Sequence, residues 1–421
     1  MKIKIKTRSY NTVKALPPQK HKKPMRQSFF FRLLLRVVSL PAILSAKFRV
    51  KRVGLEQLGK REPCLYLMNH SCFLDMEIAS TILFPRRFNV VSTYDGFVGK
   101  NRLMRMIGCI PTRKFVADLT LVRDMSYALK TLKSSVLLYP EAGYSFDGTA
   151  TTLPDTLGQL VKMLGVPVVS IQTQGAFLRQ PLYNNLKTRK VPVSAEMRYL
   201  LSPDDLAKKS TDELNAIIRQ AFSFDAFRWQ QENKVKIDHP DRAEGLHRIL
   251  YKCPACLSEG KTQGVRDELV CHACQKRWRL DEYGQMRATE GETEISHIPD
   301  WYAWERDCAR RELKDGSYGL DCDVDIYMLV DTKCFYRVGD GRLVHTADGF
   351  HLTGCDGALD YTQKPIASYS LNSDFYFYEL GDVISIGKQS TLYYCFPKDQ
   401  SIPVAKARLA TEELYKMVRK R

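Results

Sequence analysis

Asn69-His70-Ser71-Cys72-Phe73-Leu74-Asp75 follows directly on the apolar run Pro63-Cys-Leu-Tyr-Leu-Met68. A short unbroken apolar run predicts a buried strand. Ser71 is suited to N-cap the helix predicted over residues 74–83. His70 therefore falls at a strand-to-helix junction, with Asp75 in the first turn beyond it. On one continuous helix a spacing of five turns the side chain by about 500°, so the two would share no face. With His70 outside the helix, its ring can bend back to the carboxylate. Asp75 would then fix the tautomer and stabilise the imidazolium, leaving the other ring nitrogen to take a proton from a hydroxyl. Taken alone, one His and one Asp at this spacing also describe a satisfied surface histidine.

Outward from this stretch, further apolar runs recur at Phe88-Asn-Val-Val-Ser92, Ser135-Val-Leu-Leu-Tyr139 and Val166-Pro-Val-Val-Ser-Ile171. Helical patterns over 119–133, 158–164 and 211–227 separate or follow them. Strands alternating with helices imply a sheet covered on both faces. Residues 55–235 thus read as one α/β domain. Residues 291–421 are strand-rich, with Asp323-Val-Asp-Ile-Tyr-Met-Leu-Val330, Phe375-Tyr-Phe-Tyr378 and Thr391-Leu-Tyr-Tyr-Cys-Phe396, and close on a helix predicted over 405–419. They read as a separate β-rich domain. The pair Trp301 and Trp304 reads as a buried stripe on a helix leading into it.

Three more blocks follow the His70 stretch in order: Gly108-Cys-Ile-Pro-Thr-Arg113-Lys114, then Tyr139-Pro140-Glu141-Ala142-Gly143-Tyr144-Ser145, then Val166-Pro167-Val168-Val169. With Asn69, His70 and Asp75 they resemble the PlsC-type glycerolipid acyltransferase family, which includes the 1-acylglycerol-3-phosphate acyltransferases. The family's N-H-x-x-x-x-D block is matched in full. Gly108, Ile110 and Arg113 match its second block. Pro140, Glu141 and Ser145 match its third, which usually reads Phe-Pro-Glu-Gly-Thr-Arg-Ser, and Pro167 matches its fourth. The resemblance covers residues 30–225. It implies a mixed sheet flanked by helices, and transfer of an acyl chain from acyl-CoA or acyl-carrier protein to a hydroxyl of 1-acylglycerol-3-phosphate or another lysophospholipid, with no catalytic cofactor. His70 and Asp75 are the expected catalytic pair. Asn69, Arg113, Lys114, Glu141, Gly143 and Ser145 are the expected substrate-binding set, with Asn69 or nearby backbone N–H groups serving the oxyanion. The chain departs from the family at Tyr139, which replaces the Phe, and at Ala142, Gly143 and Tyr144, where Gly, Thr and Arg are usual. The absent arginine weakens the case for a phosphate monoester acceptor, although Arg113 and Lys114 remain. Cys72 offers a rival reading, a thiol nucleophile beside His70.

Cys253-Pro-Ala-Cys256 and Cys271-His-Ala-Cys274 are two C-x-x-C knuckles fourteen residues apart. The spacing resembles a zinc ribbon over residues 236–290. Four thiolates would make a closed, structural zinc site. Acidic and basic residues are mixed around it, a poor footprint for a polyanion, and Trp278 reads as core.

The charge is unevenly spread. Residues 1–62 hold 17 Lys and Arg against two acids, which is net +15 of the chain's +17. The remaining 359 residues are nearly neutral, so no nucleic-acid partner is expected. Residues 1–27 read as a basic flexible tail without the apolar run of a secretory signal. Twelve cysteines, four with metal spacing and eight scattered, predict a reducing, cytosolic setting. Residues 28–54 contain the apolar stretch Ser28 to Lys47, interrupted by Arg32 and Arg36 and expected to break or kink at Pro41. Its longest uncharged run is ten residues, short of the ~20 that cross a bilayer. It is expected to lie in a membrane interface with its arginines at anionic head groups. The whole reads as a peripheral protein on the cytoplasmic face of the cell membrane, working in phospholipid biosynthesis. The reading from another class is a catalytically inactive lipid- or partner-binding adaptor carrying a zinc ribbon.

Overall fold

The computed structural model describes residues 3–17, 19–116 and 118–419. It corrects the reading of residues 1–27 as a flexible tail, of which Met1, Lys2 and Pro18 lie outside the described residues. Strand β1 (Ile5–Thr7) pairs in parallel with Phe335–Arg337. The short helix Tyr10–Lys14 buries Tyr10 and Val13 in the C-terminal core. Farther on, the ring of His21 meets the Asp124 carboxylate at 3.0 Å, and Gln27 is buried. The basic residues keep their charges outside while the apolar ones between them find partners far along the chain.

The first sheet comprises β2 (Arg49–Val53), β3 (Leu65–Met68), β4 (Phe88–Thr93), β5 (Cys109–Thr112), β6 (Ser135–Leu138), β7 (Val168–Gln174) and β8 (Ser194–Leu201). Their spatial order is β2-β8-β7-β3-β6-β4-β5. Only β7 and β8 run antiparallel, so the sheet is mixed. Strand β3 sits in its middle and is buried on both faces. Alternation along it sends Leu65 and Leu67 to one core and Tyr66 and Met68 to the other. The first core is closed by helices Leu119–Lys130, Leu157–Leu164 and Thr211–Ala221 through Met125, Leu129, Val161 and Ile218. The second is closed by helix Leu74–Ile82. Each such buried aliphatic side chain stabilises the fold by about 1.5–3 kcal/mol relative to exposure.

Helix Phe29–Ser45, capped by Ser28, packs on Leu74–Ile82 and continues through Pro41. Its orientation reverses the expectation. Arg32 is only 9% exposed and donates to the Gln27 carbonyl at 2.9 Å, while the Arg36 guanidinium lies 4.6 Å from the Phe84 ring centre. The arginines thus face the protein. Phe29, Phe30, Leu33, Leu34, Val37, Val38, Leu40 and Leu44 face outward, Phe30 at 65% exposure and Leu44 at 73%. Helical spacing set the two arginines on one face, and local acceptors and rings decided that this face turns inward.

The ribbon is a four-stranded antiparallel sheet of β9 (Thr262–Val265), β10 (Glu268–Cys271), β11 (Arg277–Leu280) and β12 (Met286–Ala288). Helix Ile298–Asp315 leads from it into the β-rich region. That region holds β13 (Leu320–Leu329), β14 (Phe335–Thr346), β15 (Gly349–Gly354), β16 (Leu359–Gln363), β17 (Asn372–Asp374), β18 (Val383–Lys388) and β19 (Thr391–Pro397), in the order β16-β15-β14-β13-β19-β18-β17. The expected strand 375–378 is instead a tight turn in which Tyr376 and Tyr378 have φ of +52° and +49°. Helix Val404–Arg419 closes the chain and packs on Ile298–Asp315. Trp278 and Trp301 are fully buried and meet edge to face at 5.2 Å. They belong to one continuous core that also takes in Phe177 and Phe227 of the first unit and Val324 and Ile384 of the last.

Candidate active site

Strand β3 ends where β7 can hold it. The Asn69 carboxamide oxygen accepts from the Thr173 N–H at 2.8 Å and from its hydroxyl at 3.1 Å. Asn69 is fully buried, so its amide serves the sheet rather than an oxyanion. The chain then turns through His70, Ser71 and Cys72 before helix Leu74–Ile82. The helix is not capped by Ser71. Instead Asp75 Oδ2 reaches back to accept from the Ser71 N–H at 2.6 Å and the Cys72 N–H at 3.0 Å. The same oxygen lies 3.0 Å from His70 Nδ1.

Since Oδ2 is an acceptor already facing two N–H groups, Nδ1 carries the imidazole proton and Nε2 presents a lone pair. Nε2 has no hydrogen-bond partner among the described residues. The Asp75 side chain is fully buried and that of His70 is 22% exposed. Burial pushes the imidazole below its ordinary pKa, the hydrogen bond and charge of Asp75 pull it back up, and Lys114 pushes it down. A base that is neutral at pH 7 and oriented by a buried carboxylate is the result.

The third block holds His70 by its backbone. Glu141 Oε2 accepts from the His70 N–H at 2.7 Å, and the His70 carbonyl accepts from the Ser145 N–H at 3.0 Å. The other Glu141 oxygen accepts from the Thr151 N–H at 3.1 Å. Burial pushes the Glu141 carboxyl up to about 7 against the pull of these donors. The Ser145 hydroxyl is directed into its own loop, donating to the Thr149 carbonyl at 2.7 Å and accepting from the Gly148 N–H at 3.0 Å. Two rings hold the imidazole, Tyr139 stacked at 4.0 Å and Tyr144 tilted at 4.3 Å. Ala142 makes the turn between them at φ +54°, where an L-residue is strained. A Cβ on Gly143 would meet nothing within 4 Å.

In the second block, Gly108 turns the chain into β5 at φ +93°, and a Cβ there would lie 3.2 Å from the Phe88 carbonyl oxygen. The Arg113 guanidinium lies over the Tyr94 ring at 4.1 Å. Lys114 follows it, close enough for its charge to act on His70. Cys72 is fully buried, its Sγ donates to the Ala176 carbonyl at 3.4 Å, and burial pushes its thiol well above the ordinary range. That is the opposite of an activated thiolate.

The C-terminal domain roofs this site. Ser368 Oγ donates to the Phe115 carbonyl at 3.1 Å, and the Tyr369 ring lies 5.3 Å from that of Phe115. Phe375 packs on Phe146 at 4.5 Å, and the Tyr378 hydroxyl donates to Asp95 at 2.9 Å. Thr152 donates to the buried Glu412 carboxylate at 3.0 Å. Sequence reasoning missed this roof, because nothing local marks residues 368–378 as neighbours of 113–146. Tyr139 and Tyr144 stood in the quoted block but read only as departures from a pattern.

Away from this site, the sulfurs of Cys253, Cys256, Cys271 and Cys274 all lie within 4.8 Å of one another. The Cys256–Cys271 and Cys253–Cys274 separations are both 3.8 Å. Tetrahedral coordination at a Zn–S distance of ~2.3 Å places sulfurs ~3.8 Å apart, so the donor set and its spacing fit zinc. His272 bonds instead to Gln263 at 2.8 Å.

Residues 49–174 match the family model described as Acyltransferase. Among solved structures the chain is similar to the crystal structure of the 1-acyl-sn-glycerophosphate (LPA) acyltransferase, PlsC, from Thermotoga maritima. The identity is 16%, the match covers 49% of this chain and 80% of that one, and the TM-score is 0.35. A search of the curated proteins finds no match.

Proposed function

We propose that this chain, whose residues 49–174 match the family model described as Acyltransferase, moves a fatty acyl chain from a thioester donor, acyl-CoA or acyl-carrier protein, to a hydroxyl of a lysophospholipid. The observation that carries this reading is the His70–Asp75 pair, with Nδ1 bonded to a buried carboxylate and Nε2 free. Nε2 takes the proton of the acceptor hydroxyl as its oxygen attacks the thioester carbonyl. Asp75 stabilises the imidazolium that forms. The tetrahedral intermediate collapses with loss of the thiolate, and the imidazolium returns the proton to sulfur. A thioester is already activated, so a positioned base contributing ~10²–10⁴ needs no acyl-enzyme. Glu141 and Ser145 act as positioning residues, holding the His70 backbone on both sides. Arg113 and Lys114 supply the positive charge for the acceptor's phosphate.

The outward apolar face of helix Phe29–Ser45 supports a membrane surface as the place of work. No helix among the described residues is long and apolar enough to cross a bilayer. A 17-residue helix is ~25 Å long and can lie in the interface along its whole length. Lys22, Lys23 and Arg26 before it and Lys47 and Arg49 after it are exposed, and would meet anionic head groups on the cytoplasmic face. This helix packs on the one that begins beside His70, so both substrates can reach the base from the bilayer. At the ribbon, the four cysteines would hold a structural zinc ion, which ties its two knuckles together.

The test is transfer of labelled acyl groups from acyl-CoA or acyl-carrier protein to a panel of lysophospholipids. Activity is expected to vanish in His70→Ala and to survive in Cys72→Ala. The second reading, an inactive lipid-binding adaptor, draws on Tyr144, which occupies the usual arginine position and packs on His70. Lipid binding without turnover on any acceptor would establish it instead.

A further inference from the structure

The roof over the site ends in a carboxylate. Asp374 is the last residue of β17, and four of the contacts described above flank it along the chain. Phe375 beside it lies on Phe146, two residues from Tyr144. Ser368 and Tyr369 hold Phe115, the neighbour of Lys114. Tyr378 holds Asp95, next to the Tyr94 ring that carries Arg113. Asp374 is half-buried, and one of its oxygens accepts from the Phe375 N–H at 2.9 Å. Its other oxygen has no hydrogen-bond partner among the described residues. The backbone that delivers it is strained. Tyr376, Tyr378 and Glu379 all sit in the left-handed region at φ +52°, +49° and +67°, and none is glycine. Strain of this kind persists where surrounding structure enforces it, and it gathers at binding sites.

The electrostatics agree with this placement. Burial pushes Asp374 up to about 6 while Lys114 pulls it down. Lys114 also acts on His70. The charge of this one lysine thus acts on both the base and the carboxylate. An acceptor with its hydroxyl at His70 Nε2 and its phosphate toward Arg113 and Lys114 carries whatever follows the phosphate toward Asp374.

We propose that Asp374 is a specificity-determining residue that selects lysophospholipids whose phosphate is esterified to an amine-bearing alcohol, against those with a bare phosphate monoester. The proposal rests on the acyltransferase reading. A monoester brings −1.5 to −2 charges at pH 7 by the ordinary titration of phosphate. It would meet a carboxylate, and a tyrosine at the third-block position where arginine is usual. A phosphodiester brings one negative charge for Arg113 and Lys114, and its ammonium gives Asp374 the charge-assisted partner it lacks. Attraction to one head group and repulsion of the other act in the same direction.

The experiment measures kcat/KM with the full chain for lysophosphatidate, lysophosphatidylethanolamine and lysophosphatidylglycerol of one chain length in one detergent. The wild type is expected to favour the amine-bearing acceptor about tenfold or more over both others, the range of one charged hydrogen bond. Asp374→Asn keeps the Phe375 N–H bond and is expected to erase that preference, slowing the amine-bearing acceptor relative to the other two, and Asp374→Glu to retain it. A wild type that favours the monoester, an equal rate on the glycerol diester, or a ratio unchanged in Asp374→Asn overturns the proposal while leaving the acyltransferase reading intact. No transfer to any acceptor overturns both.

Discussion

Replacing Asp75 by Asn tests whether the buried carboxylate drives the base or merely shapes the loop. Asp75 Oδ2 receives the Ser71 N–H, the Cys72 N–H and His70 Nδ1. An asparagine oxygen can accept all three in the same place, so Asp75→Asn removes the charge and keeps the geometry. Asp75→Ala would instead strand two buried N–H donors at about 1–3 kcal/mol each. Two unit charges about 4 Å apart at an effective dielectric near 20 interact by about 4 kcal/mol. If half to all of the imidazolium charge has developed at the transition state, losing it raises the barrier by about 2–4 kcal/mol. That is a fall in kcat of about 30- to 1,000-fold. Asp75 is fully buried and touches no substrate, so KM should stay within about threefold of the wild-type value, a margin near 0.6 kcal/mol. The carboxylate also holds the His70 pKa up. The acid limb of the rate profile should therefore move to lower pH in the variant. Initial rates of thiol release from acyl-CoA between pH 5 and 9 give both quantities. A variant within about threefold of wild-type kcat, or an acid limb that moves upward, would refute the electrostatic role of Asp75.

Ala142→Gly relieves a left-handed residue, which costs an L-amino acid about 1–2 kcal/mol, against glycine's loss of about 0.5–1 in chain entropy. Denaturant unfolding should show a gain of about 0.5–1 kcal/mol. Burial holds Glu141 up to about 7 from 4.5, so between those values the folded chain keeps a proton that the unfolded chain has released. Its contribution makes stability fall as pH rises across that window, and thermal scans should show a shallower decline in Glu141→Gln. Elemental analysis should find about one zinc per chain, as a single four-cysteine site requires. Stripping it with a thiol reagent and chelator should lower the melting temperature and alter the fluorescence of the buried Trp278. Leu34→Asp together with Val38→Asp should weaken flotation with anionic vesicles at least about tenfold, since each removes a large apolar contact with lipid. The same pair should leave the melting temperature nearly unchanged, because both side chains are exposed.

What the sequence made legible was local. His70 and Asp75 are five residues apart, and a strand end followed by a helix start leaves few ways to arrange them. The alternation of apolar runs with helical patterns was enough to place β3 inside a covered sheet. Four cysteines in two knuckles carry their own geometry. What stayed hidden depended on separation in the chain or on a choice between faces. Arg32 and Arg36 share a helical face whichever way that face turns, and the Gln27 carbonyl and the Phe84 ring decided it. Ser71 suited the helix start, but the Asp75 carboxylate took the free N–H groups. Asn69 belonged to the quoted motif, but only the register of β3 against β7 shows its amide bonded to Thr173. Asp374 lies 260 residues beyond Lys114. No periodicity or motif in residues 368–378 connects the two.

The parallel pairing of Ile5 with Phe335 spans 330 residues of chain. Loop closure over such a length adds little to the thermodynamic cost, which grows only logarithmically. The demand falls on timing. During synthesis at ~5–20 residues per second, β1 waits roughly 15–70 s for its partner to emerge. For that interval Tyr10 and Val13 have no core to enter, and the apolar face of helix Phe29–Ser45 is already made. On the membrane-surface reading proposed above, a nascent chain with that face out would meet lipid before its final third exists, and the roof over His70 would be assembled at that surface.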